Sequence, residues 1–423
     1  MKKKTLTLVL LLAVFSAQAQ TLEECQQAAE KNYPFIKQYD LIAQTTRLTV
    51  ENIQKGWLPQ ITASAQATYQ SDVAGWPDNM KGMFQQLGLN MKGLSKDQYK
   101  MAIDLQQTLY DGGAISQQRN IARQEGKVEQ AQADVNMYQV RKRVNEMYFS
   151  LLLLDEQIRL NNDVKALLLS SETKLAAMLK GGTAATSDLD NVKAERLSIA
   201  QQNESLKAQR QMLQRMLSAF CGIEVSNATK PTPVEANNLA GNRPEMRLFD
   251  HQIKLAETRE KALDTQLRPR LGLFAHGYYG YPGLTMFDDM MNKKWSLNGI
   301  VGIKLSWNVG ALYTRKNDKA KLRLQRELIE NAREVFQFNN NMEQIQQTEN
   351  IDRFKTMMQG DEEIITLRTN VRKAAESKLV HGIIDVNSLL REINNENAAK
   401  AQQAIHEIDM LKEMYALKYT NNE

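Results

Sequence analysis

The chain has 423 residues, with 54 Lys and Arg against 49 Asp and Glu, and removing Lys2, Lys3 and Lys4 alone takes its net charge from +5 to about +2. That near-balance gives no basis for nucleic-acid binding. The four histidines (His251, His276, His381 and His406) lack metal-ligand spacing, and no phosphate loop or nucleophile constellation accompanies them, so the sequence reads as neither an enzyme nor a metal or cofactor protein.

The N-terminus has a basic start at Lys2 to Lys4, an apolar run from Leu6 to Phe15 and the small-residue cleavage signal Ala17-Gln18-Ala19. Residues 1–19 are therefore expected to be a secretory signal peptide. Beyond Gln20 no apolar run approaches the roughly 18 residues of a spanning helix. The exported chain is then either soluble or crosses a membrane as strands.

Residues 22–55 carry helical spacing in Leu22, Ala29, Ile36, Leu41, Leu48 and Ile53, with a break expected at Pro34. The period then changes to alternation. Ile61, Ala63, Ala65, Ala67 and Tyr69 fall on one face, and Thr62, Ser64, Gln66, Thr68 and Gln70 on the other. Strands are expected at about 60–71 and 101–110. Residues 114–180 then form one very long helix with a single glycine, Gly126. Its apolar positions recur in heptad-like steps at Val128, Val135, Val144, Leu151 and Ile158. A turn at 181–185 leads into a helix over 186–221.

The plan then repeats. A helix over 244–268 precedes strands at about 270–281 and 299–309, a long helix over 311–381, a turn at 381–385 and a last helix over 383–418. Pro34, Pro59 and Tyr69 match Pro244, Pro269 and Tyr279 at an offset of 210, whereas Gly182 and Leu189 match Gly382 and Leu389 at an offset of 200. Two repeats are read, 20–230 and 231–423, the first with a longer loop between its strands. Each long helix is expected to extend about 100 Å, at about 1.5 Å per residue.

The strand ends are rich in aromatics: Tyr69, Tyr110, Tyr278, Tyr279, Tyr281, Trp295 and Trp307. Such clusters fit the interfacial girdles of a membrane barrel, although an ordinary soluble sheet has the same alternation. Four strands cannot close a barrel, and an open edge in lipid leaves backbone groups unpaired. Several chains must then share one barrel.

The order of these elements, the paired prolines before each first strand, the turn Tyr110-Asp111-Gly112-Gly113 into the long helix and the opening Thr21-Leu22-Glu23-Glu24-Cys25 together resemble the TolC-like outer-membrane efflux proteins. The resemblance covers nearly the whole exported chain. It implies a long α-helical barrel continuous with a transmembrane β-barrel, four strands per chain and 12 in a homotrimer. It implies an exit duct of a tripartite efflux or type I secretion system, set in outer-membrane lipid and reaching into the periplasm. Its partners would be a periplasmic membrane-fusion adaptor and an inner-membrane pump of the RND or ABC type. The alternative, from another class, is a soluble exported coiled-coil adaptor or structural protein; it does not require four strands of membrane-spanning length.

Both helical turns are then placed at the periplasmic tip, where Gly181, Gly182, Thr183, Gly382 and Ile383 would form the docking end. Ser187 and Asp385 are candidates to cap the outgoing helices. The resemblance implies an Asp six residues after the first turn glycine, which Asp188 supplies. The positions implied for the family's latch and acidic ring hold Leu379, Ile384, Ser388 and Arg391. A different closing contact is therefore expected, with Asp188, Asp190, Asp385 and Arg391 as gate candidates. If the short helices of the first repeat stack end to end, Cys25 and Cys221 meet at their joint, as a disulfide or as two buried thiols.

Overall fold

The structure, a computed structural model, describes residues 20–89, 93–234 and 243–422. The signal peptide read at residues 1–19 lies outside the described residues. Among the described residues no helix is long and apolar enough to cross a membrane.

Helices α1 (Leu22–Asn32) and α2 (Lys37–Gln54) flank a 3-10 turn that begins at Pro34. Proline lacks an N–H and clashes with the preceding turn, so the α-helix cannot run through it. The first half continues with β1 (Gln60–Tyr69), a short helix α3 (Asp78–Gln86), β2 (Asp97–Tyr110), α4 (Ala114–Lys180) and α5 (Thr186–Cys221). The second half follows with α6 (Pro244–Leu263), β3 (Arg270–Tyr281), α7 (Met286–Met291), β4 (Ser296–Ser306), α8 (Ala311–Val380) and α9 (Val386–Asn421). Mainly helical structure with one small antiparallel sheet is thus the fold class that the sequence pattern predicts.

These elements fall into two compact units that cut across both halves of the sequence. A strand-bearing unit combines Leu41–Gln130 with Phe249–Asn331, and a helical unit takes the rest. The long helices α4 and α8 each contribute to both.

In the strand-bearing unit the sheet order is β1-β2-β3-β4, with every pair antiparallel. The register stacks like with like. Ile61, Leu105, Ala275 and Val301 form one row, and Ala65, Met101, Tyr279 and Leu297 another. Large apolar side chains on this face stand in the open, with Leu297 83% and Val301 72% exposed. Chains folded in water do not leave such a continuous apolar face uncovered. The opposite face carries rows such as Ser64, Ala102, Tyr278 and Asn298.

Two details differ from the alternation pattern. Tyr278 belongs to this polar face, where Lys100 Nζ sits 4.2 Å from its ring centroid, while Trp295 packs on Tyr99 and Tyr279 at 5.9 and 5.3 Å. Trp307 and Val309 leave the ladder, because the chain turns after Ser306 and Ala311 N–H reaches back to the Asn308 carbonyl. Alternation continued past the strand there by composition alone.

The turn from β2 into α4 is set by Asp111. Its carboxylate accepts from Gly113 N–H at 2.8 Å and Ile115 N–H at 2.6 Å, capping the helix. Gly112 takes φ +70°, and a Cβ there would lie 2.7 Å from Arg268 Cβ, so the position requires glycine.

In the helical unit the main core joins Leu22, Cys25 and Ala29 of α1 to Val144, Tyr148 and Leu151 of α4, Leu217 of α5 and Leu411 of α9. The buried Tyr148 hydroxyl accepts from Thr229 N–H at 2.9 Å and lies 2.7 Å from the Gln20 carbonyl. Cys25 and Cys221 are both fully buried in this core as free thiols. Their hydrogen bond, and then burial, push the Cys25 thiol up. Asn32 Nδ2 donates to the Cys221 carbonyl at 2.9 Å, tying α1 to the end of α5.

Candidate functional site

Two regions stand out, one in each unit: the amphipathic sheet described above and the pair of helical turns in the helical unit.

The two turns have the same hydrogen-bond plan. After α4, Gly182 N–H donates to the Leu179 carbonyl at 3.1 Å and Thr183 N–H to the Met178 carbonyl at 2.9 Å. After α8, Gly382 N–H donates to the Leu379 carbonyl and Ile383 N–H to the Lys378 carbonyl, both at 2.9 Å. These are Schellman ends, in which a left-handed residue folds the chain back onto the last carbonyls. Gly182 and Gly382 supply it with φ +72° and +70°. Gly181 N–H still bonds Ala177 in the helical manner, and the Thr183 hydroxyl adds a bond to Met178 at 3.1 Å. Ile383 is left 69% exposed at the apex.

The outgoing helices start differently. Asp385 is the N-cap of α9, its carboxylate accepting from Ser388 N–H at 2.8 Å, and hydrogen bonding from the Ser388 side chain, then from this N–H, holds its carboxyl below the usual range. Ser187 does not cap α5. It lies inside the first turn, while Asp188 reaches back to accept from Ala185 N–H at 3.1 Å. Asp190 and Arg391 are exposed, and neither forms an ion pair among the described residues. Among the described residues no hydrogen bond or ion pair joins the four gate candidates, and the link between them is the Arg391 charge acting on the Asp385 carboxylate. Leu379 and Ile384 pack against an apolar cluster centred on Leu168, Leu175, Leu189, Val192, Leu389 and Ile393.

Next to this cluster lies a polar layer that the sequence reading missed. In the first hairpin Arg196 Nε meets Glu172 Oε2 at 2.8 Å; in the second Arg372 Nε meets Glu396 Oε2 at 2.5 Å. At the repeat offset of 200, Glu172 corresponds to Arg372 and Arg196 to Glu396. The same pair is built twice with its charges exchanged, and the offset was the signal available to find it. Lys400 and the Thr369 hydroxyl also bond Glu396, at 2.7 and 3.0 Å. The two hairpins are linked by Asn394 Nδ2 donating to Glu195 at 3.2 Å and by Lys174 near Glu376 at 4.0 Å.

Burial works against the Glu396 carboxylate, yet hydrogen bonds from Lys400, Arg372 and Thr369 outweigh it and hold its pKa below the ordinary value. A lowered carboxylate pKa contributes stability that is complete above the unfolded value of 4.5 and disappears as pH falls through the folded value. Glu396→Gln is expected to cost about 1–3 kcal/mol at neutral pH. The gap to wild type should close in acid, which thermal melts across the acid range will measure; a gap independent of pH would refute this account.

Residues 25–218 match the model of the outer membrane efflux protein family. That match covers 194 of the 423 residues, just under half of the chain. Among solved structures its fold is similar to the outer-membrane channel OprN, at 13% identity over 95% of this chain and 89% of that one, with a TM-score of 0.69. It is similar as well to VceC of Vibrio cholerae, at 12% identity over 95% of both chains and a TM-score of 0.66. CmeC of Campylobacter jejuni matches at 12% identity over 96% of this chain and 86% of that one, with a TM-score of 0.67. At these identities the likeness is one of fold. A comparison with curated protein sequences gives no match.

Part of the chain thus matches the outer membrane efflux protein family, and the whole has the fold of outer-membrane channels.

Proposed function

We propose that three copies of the chain form the exit duct of a tripartite efflux or type I secretion system. The observation that carries this reading is the open sheet. β1 and β4 each pair on one side only, and the exposed apolar face calls for lipid. An unpaired strand edge in lipid costs several kcal/mol per group, so the edges must be satisfied by neighbours. The alternating order places β4 of one copy antiparallel to β1 of the next, and three copies give a 12-stranded barrel. The two sequence repeats, 20–230 and 231–423, would each contribute one strand pair and one helical hairpin. In a membrane fraction the protein should accompany outer-membrane markers and run as a trimer in detergent before heating. A soluble monomer would defeat the reading.

In this duct the two Schellman turns form the periplasmic tip. Gly181, Gly182, Thr183, Gly382 and Ile383 present the surface for a membrane-fusion adaptor, behind which stands an inner-membrane pump. Asp190 and Arg391, exposed and unpaired within the chain, form the closing contact between copies. Asp188 and Asp385 hold the helix starts that aim it. Arg391→Ala should raise the resting conductance of the trimer in planar bilayers several-fold, and unchanged conductance would remove Arg391 from the gate.

In the exported protein Cys25 and Cys221, unbridged in the structure, close a disulfide, the two thiols passing two electrons and two protons to a disulfide-bearing oxidoreductase. Their contact in the core supports this, and their burial requires oxidation before folding is complete. Protein alkylated under non-reducing, denaturing conditions should gain no label at either cysteine; labelling at both refutes the bond.

A further inference from the structure

The polar face of the sheet has a charge pattern that bears on what the duct passes. On β1 it consists of Gln60, Thr62, Ser64, Gln66 and Thr68, without charge. On β2 it carries Lys100 and Asp104, on β3 Arg270 and His276, and on β4 Lys304. The acidic member, Asp104, is engaged: His276 Nδ1 lies 2.6 Å from its carboxylate. Arg270 and Lys304 are exposed near the helical end of the sheet, opposite Ser306 and Gly272. Lys100 stands near the other end, opposite Gly280. Cations therefore mark both ends of this face, and the carboxylate between them already has a partner.

Resting on the trimeric duct reading, we propose that the strand section of the channel selects anions, and that Lys100, Arg270 and Lys304 set this preference. Strands about 4.8 Å apart and tilted about 45° give a 12-stranded barrel a Cα radius of roughly 13 Å. Long cationic side chains reaching inward from that radius bring their charges within about one Debye length of the axis, about 10 Å at 0.1 M salt. A passing ion therefore feels them without touching them. Three copies place nine cations against three histidine-bonded carboxylates around the lumen. The cargo class that this lining favours on its last step out of the cell is anionic, in the size range of small carboxylates, sulfonates or phosphates and larger amphiphiles with such groups. Substitutions on a lumen face change selectivity with little effect on the lipid face, so the lining is open to test.

The experiment is the reversal potential of the full-length trimer in planar bilayers across a KCl gradient. Wild type should pass chloride over potassium by a few-fold, and the preference should weaken as the salt is raised, because screening shortens the reach of the charges. The double variant Lys100→Glu with Lys304→Glu should bring the ratio through unity toward potassium. The neutral pair Lys100→Gln with Lys304→Gln should fall between, which guards against misfolding of the charge-reversed form. Potassium preference in wild type, or the same reversal potential in all three proteins, overturns the assignment while leaving the duct intact. A properly sedimenting trimer without any conductance overturns the duct reading and this one with it.

Discussion

A strand in lipid must pair its backbone on both sides, and the described residues of this chain bring four strands. β2 and β3 are satisfied within the chain, whereas β1 and β4 each present one unpaired edge. In water such edges invite aggregation; in hydrocarbon they are prohibitively costly. The rest of the strand-bearing unit follows from this constraint. The register places Ile61, Leu105, Ala275 and Val301 in one row, so that the large apolar side chains share a single face. Trp295 stacks against Tyr99 and Tyr279 where that face ends. Asp111 and Gly112 turn the chain out of the sheet and cap the long helix within a few residues.

The helical unit solves a different problem. Helices of 67 and 70 residues cannot bury a compact core around themselves, so stability is distributed along their length in local clusters. One cluster gathers around Tyr148 and Leu411, and another lies next to the turns around Leu168 and Leu389. Beside the second, the Glu172–Arg196 and Arg372–Glu396 pairs satisfy polar groups that packing has taken out of water.

Much of this was legible in the residues. Alternation from Ile61 to Tyr69 showed because successive side chains of a strand point to opposite faces of its sheet. Gly182 and Gly382 showed because a Schellman end needs a left-handed residue. The misreadings are equally specific. Ser187 has the chemistry of a cap but sits one residue too far into α5, and Asp188 takes the free N–H instead. Trp307 continues an alternating pattern beyond the last ladder bond and donates its indole N–H to the Leu267 carbonyl at 2.8 Å. Tyr278 was grouped with the girdle by residue type, although its parity places it on the polar face.

By itself, the sequence determined the period of each segment, the places where helices must stop and the sidedness of each strand. These are local properties, set by side-chain spacing and backbone preference. Only the tertiary structure decided which groups meet: that Arg372 lies against Glu396, that His276 engages Asp104, that Cys25 and Cys221 touch, and that Asp190 and Arg391 form no ion pair among the described residues. Those outcomes depend on register between segments far apart in the chain, where a shift of one residue turns a side chain to the other face.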